Sequence, residues 1–294
     1  MPRHVLTPPC PTDPFESRLR TALRLLLTGH PQRTAERCAR LRTRAAATGA
    51  RRWQAAFGAL RAEALLCLGD LAAAEREAAT AVQAADRDTP LRLWPVAALV
   101  EALTELGHHD EADRRLRRAV PGPLPLTEDV LPYLRARSRH FLAVRCPQEA
   151  LADALHVGEL AALQKGGLFT EMPWRTDAAQ ALLHLGRPDR AAELIDAQLT
   201  EATLGPRPRG IALRLRAAVE APAGRPATLA LAAAELRAAG DRPEHARALA
   251  DMADALRALG DDSTSEAVLH RAWGLAADCG AVPLCERLLP TTVA

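Results

Sequence analysis

The stretch "GHHDEAD", Gly107 to Asp113, sets two adjacent histidines beside three acids, side chains of the kind that hold zinc. His108 and His109 fall at a turn, however, where exposed polar residues are expected for solvation alone. A second acidic run, "DDSTSE" from Asp261 to Glu266, also begins at a turn. Carboxylates there favour the positive end of the helix that follows. The one lysine, Lys165, stands before Gly-Gly and belongs to no G-x-x-x-x-G-K-[ST] phosphate loop. G-x-S-x-G and H-E-x-x-H are absent from the sequence. The cysteines Cys10, Cys38, Cys67, Cys146, Cys279 and Cys285 form no C-x-x-C pair, and most lie in helical apolar patterns as small hydrophobes. These residues predict no catalytic group, no cofactor site and no metal site.

The elements that position them are helices. The chain has 294 residues, is 48% hydrophobic and only 3% aromatic, and contains isoleucine only at Ile195 and Ile211. Ala, Leu, Arg and Glu dominate, which favours helix and starves any sheet of β-branched residues. The net charge of +2 selects no class of partner. Residues 1–60 carry +8 and the remainder −6, so the arginine-rich start is the one candidate surface for nucleic acid. A solvated helix face explains the same arginines, and charge imbalance alone is weak support for a partner. Without an apolar leader or an 18-residue apolar run, a soluble, cytoplasmic protein with no membrane partner is expected.

A repeat organises the helices. Turn anchors stand at Gly29, Gly69, Gly107, Arg145, Gly186, Gly224 and Gly260, at intervals of 40, 38, 38, 41, 38 and 36. Seven residues before each stands Ala22, Ala62, Val100, Ser138, Ala179, Ala217 or Ala253, all small or slim. Five residues after four of the anchors stand Ala74, Ala112, Ala150 and Ala191. Antiparallel helices pack closely only where small side chains face each other at the crossing. Repetition lets each hairpin bury a face on the next. The fourth copy lacks its Gly, and the sixth places Glu220 and Pro222 in core-like positions. Capping boxes are predicted at Asp13 with Glu16 and at Asp241 with Glu244. Breaks are expected at residues 120–132, at Lys165 and at 203–210.

This pattern resembles the tetratricopeptide repeat, whose usual period is shorter, 34 residues. It implies an all-α, right-handed α-solenoid of about seven helical hairpins over residues 1–294. Two arms, 1–120 and 127–290, would meet at a hinge in 120–132. The position after each small residue gives a polar ladder, Glu63, Glu101, Arg139, Gln180 and Asp254. In repeats of this kind it faces the concave groove. Trp53, Trp94 and Trp174 begin first helices, where a wedge between hairpins is the simpler reading and ligand stacking the other.

"PWRTDAAQALLHLGRPDRAAEL", from Pro173, and "HARALADMADALRALGDDSTSEAVLHRAWGLAADCGAVPLCERLL", from His245, carry a further likeness. They resemble the solenoid region of the large ATP-binding LuxR-type regulators of actinobacteria. That family continues into a helix-turn-helix and carries an ATPase module, and neither is legible here. The resemblance therefore implies only the sensory and protein-contact part. Expected is a non-enzymatic regulatory or adaptor protein that binds a partner, such as a full-length regulator, or a small effector, in the control of gene expression. A scaffold or chaperone for an enzyme assembly is the alternative, and an enzyme with an unrecognised pocket a third. Candidate contact residues are Glu63, Trp94, Glu101, Arg139, Trp174, Arg175, Gln180 and Asp254.

Overall fold

The computed structural model describes residues 14–85, 91–125, 127, 129–164, 167–169, 171–201 and 204–289. Cys10, the Asp13 cap and the Lys165 break lie outside them. The described residues form α-helices and no strand. They run α1 (Pro14–Leu27), α2 (Pro31–Ala47), α3 (Arg51–Leu68), α4 (Leu71–Ala84), α5 (Leu93–Glu105), α6 (His109–Ala119), α7 (Val130–Ala143) and α8 (Pro147–Leu163). The order continues with α9 (Trp174–His184), α10 (Pro188–Leu199), α11 (Pro206–Val219), α12 (Arg225–Ala238), α13 (Arg242–Ala258), α14 (Asp262–Cys279) and a short α15 (Val282–Leu288). No helix among the described residues is long and apolar enough to cross a membrane.

Every turn anchor lies in the link between an odd-numbered helix and the even-numbered one that follows. Gly69 shows why the type matters. Its φ of 78° ends α3, and its N–H returns to the carbonyls of Leu65 and Leu66. Arg145 adopts the same left-handed conformation at φ 61° without glycine's freedom, alone among the described non-glycine residues. Gly224 departs from the pattern, in a 3-10 turn with negative φ. Asp70, Asp241 and Asp261 cap the next helices by accepting from the N–H three residues on, at 3.0–3.1 Å.

The small positions do what their size predicts. All seven, from Ala22 to Ala253, are buried, as are Ala74, Ala112, Ala150 and Ala191 opposite. Where serine replaces alanine, its hydroxyl is satisfied across the crossing: Ser138 donates to the Ala150 carbonyl at 2.8 Å. Consecutive helices pack side by side, and the array then returns on itself, with α11 touching α1 and α13 touching α3. The docking surface is the row of early turns. Gly29 approaches Pro206 and Ala239, Gly69 meets Cys279, and Gly107 meets Pro283.

One apolar core runs from Leu19 through Val157 to Phe169, and a second from Leu66 to Leu288. The first is unbroken across the proline-rich 120–132 link. Tyr133 donates to the Leu116 carbonyl at 3.0 Å, and Asp129 accepts from the Leu93 N–H at 2.5 Å.

Candidate ligand-binding site

The return of α13 onto α3 brings the polar ladder against a second set of charges. Arg139, on α7, lies 3.8 Å from Glu101 and 3.9 Å from Glu105 on α5, and 3.3 Å from Glu244 on α13. Arg247, one turn beyond Glu244, pairs with it at 3.0 Å and also reaches Glu105. Arg214 of α11 joins from the other side, 3.5 Å from Glu244 and 3.1 Å from Asp251. Arg207 binds the second oxygen of the Asp241 cap at 2.5 Å. Helices α5 and α7 are thereby clasped to α13 through ion pairs that span more than a hundred residues of sequence.

Glu244 is the centre of this clasp. Burial works to raise its pKa, but the fields of Arg247, Arg214, Arg139 and Arg207 prevail and hold it at about 2. The expected Asp241–Glu244 capping box is therefore only half formed. Asp241 caps the Glu244 N–H, while the Glu244 carboxylate turns to the arginines.

Beside the clasp lies a cavity of about 210 Å³, bounded by Arg139, Gln180, His184, Arg214, Arg247 and, from the C-terminal α15, Arg287. Its walls can hold a small polar molecule through several directed hydrogen bonds. Of the expected ladder, Glu101, Arg139 and Gln180 converge here or on the adjoining clasp. Asp254 does not. It is exposed, 3.5 Å from Arg257 and from Arg287.

Glu63 stands apart on α3. It accepts a hydrogen bond from the Trp94 indole N–H. Burial, with Glu101 adding to it, pushes its pKa up to about 7. Trp94 is fully buried, its ring edge-on to Phe169 at 4.8 Å, so it is a core wedge and no groove contact. Trp174 is also a packing residue. Its indole lies so close to Gly158 of α8 that a Cβ there would come within 2.7 Å of the ring. Arg175 covers that indole at 4.9 Å and pairs with Glu201 at 2.5 Å, away from the cavity. The buried thiols carry no reactive signature: burial pushes Cys38 and Cys67 up to about 12. Among the described residues no three His, Cys, Asp or Glu side chains converge as metal ligands.

Sequence periodicity named Glu101, Arg139 and Gln180 among the lining residues and missed Glu105, Arg214, Glu244, Arg247 and Arg287. The helical period does signal Glu105, one turn after Glu101 on the same face of α5. The residues of α11, α13 and α15 reach the site only through the return of the chain, and no local pattern announces that return. Compared with known proteins, the chain matches no protein-family model and no curated protein.

Proposed function

We propose that this chain is a non-enzymatic binding module, a right-handed α-solenoid of about seven tetratricopeptide-like hairpins related to the sensor arm of LuxR-type regulators. It holds a small polar effector in the 210 Å³ cavity and thereby sets its affinity for a partner protein in the control of gene expression. One observation carries this reading. The repeated polar position delivers Arg139 and Gln180 to this cavity and Glu101 to the clasp that adjoins it, while the surrounding charges are matched to one another. Such an arrangement suits recognition by complementary hydrogen bonds, and with α13 and α15 among its walls the cavity suits a small molecule better than an extended peptide. The scaffold reading shares the fold but needs no cavity. A native pull-down from the source organism, analysed for proteins and for small molecules, separates them. A stoichiometric small molecule supports the effector reading; protein partners alone support the scaffold.

A second reading has its own observation. Arg33, Arg37, Arg40 and Arg44 recur at helical spacing along α2, and none of the four forms an ion pair among the described residues. Their stripe fits the spacing of phosphates on a nucleic-acid strand. Binding to duplex DNA that falls steeply between 50 and 200 mM salt, as expected from roughly four phosphate contacts, would favour it. Binding that ignores salt, or none, removes it.

A further inference from the structure

A different site follows α1 on the far side of the early helices. Three cavities lie end to end along this helix, and Leu168, in the link before α9, walls all of them. The innermost, about 70 Å³, has apolar sides from Leu23, Leu26, Phe169 and Met172. It shares Leu23, Leu27 and Glu171 with the next, of about 320 Å³. The last, about 210 Å³, ends against Trp53. The cleft exists because the array closes. Gly205 lets the start of α11 press onto the Leu27 carbonyl, which brings Arg207 to the inner end.

The floor of the inner cavity is polar. One Glu63 oxygen is taken by the Trp94 indole, the other makes no hydrogen bond among the described residues, and the side chain lines the cavity. Arg135 uses Nε for Asp177 at 2.7 Å, and Arg207 uses Nε for Asp241 at 2.5 Å. Both arginines line this end of the cleft, and their outer N–H groups make no hydrogen bond among the described residues. An acceptor therefore stands beside donors at the bottom of an apolar throat. A cationic head would meet the guanidinium groups, and an anionic head would meet Glu63. A neutral head with both functions satisfies all three side chains.

We propose that this cleft binds an elongated, mostly apolar molecule of the acyl-chain type, ending in a neutral head that both donates and accepts hydrogen bonds, of which a primary amide is the simplest. The head N–H donates to the open Glu63 oxygen, and its carbonyl accepts from Arg135 or Arg207. The chain runs past Met172 and Leu168 toward the outer cavities. Above neutral pH Glu63 is mainly an anionic acceptor, consistent with this pairing.

Calorimetric titration of the full chain at pH 8 with octanamide, octanoate and octylamine tests this. Octanamide is expected to bind one to one and at least tenfold more tightly than either charged analogue. Met172→Trp, which fills the throat and leaves the floor intact, is expected to weaken octanamide at least tenfold. Glu63→Gln keeps an acceptor for Trp94 but offers an N–H to the ligand, so preference should shift toward octanoate. Absence of octanamide binding, equal affinity for the three compounds, or an affinity indifferent to both variants overturns the proposal. Neither substitution touches the clasp cavity, so a failure here leaves the effector reading standing, and the reverse.

Discussion

Glu63 and Glu244 show how one residue type takes opposite roles in one fold. Both are carboxylates taken from water, a transfer that alone disfavours charge. Glu244 has four arginines around it and stays ionised, whereas Glu63 has Glu101 nearby and the Trp94 indole as its hydrogen-bond donor. The sign of their effect on stability therefore differs. For Glu63 the folded pKa, about 7, lies above the ordinary carboxylate value, so folding takes up a proton. The stabilisation is complete below pH 4.5 and is lost as pH rises through 7. Glu63→Gln should remove this loss. Urea unfolding at pH 5 and pH 8 should show the wild type falling relative to the variant by up to about 2 kcal/mol, less than the full shift because the carboxylate keeps contact with the cleft. Parallel pH profiles would show that Glu63 is not the titrating group. Glu244 acts the other way: its contribution is present above pH 4.5 and disappears as pH falls toward 2.

Helix packing comes next, and Gly158 is one of its tight points. The Trp174 indole rests where a Cβ would stand, so α8 and α9 approach through a glycine and a flat ring. Gly158→Ala gains helix propensity but must displace the indole, and overpacking of this kind costs about 1–3 kcal/mol. A lower thermal midpoint with blue- or red-shifted tryptophan emission is expected; a more stable variant with unchanged emission would contradict the contact. Helices and their turns were legible in the sequence because each is local. A small residue seven before the turn and a glycine at the turn mark every hairpin that has them, and even Arg145 takes the conformation its register demands. Trp94 and Trp174 were harder to assign. An aromatic at a helix start reads equally well as wedge or as ligand platform until its neighbours, Phe169 and Gly158, are known. The clasp was not legible, because Glu105 and Arg247 meet across 142 residues of sequence.

At the scale of the molecule, that clasp is what makes a curved array of hairpins into an enclosed one. The early turns at Gly29, Gly69 and Gly107 supply the docking row, and the Arg139–Glu244 and Arg247–Glu105 pairs lock it. Removing one member leaves its partner poorly solvated, a worse outcome than removing both. Arg247→Ala should cost about 2–4 kcal/mol, and Glu105→Gln in the same chain should recover part of it. Additive losses in this double-mutant cycle would mean that the Arg247–Glu105 pair does not help to hold the two helices together.

With this function, the cavity beside the clasp is occupied in the working protein. Gln180→Trp fills that cavity from α9 without altering an ion pair. Native mass spectrometry of wild type and variant, both purified gently from the source organism, decides whether the cavity is occupied. A small molecule bound one to one to the wild type and missing from a folded Gln180→Trp protein is the predicted result. A wild-type chain that carries no added mass, or a variant that retains the same ligand, would contradict it.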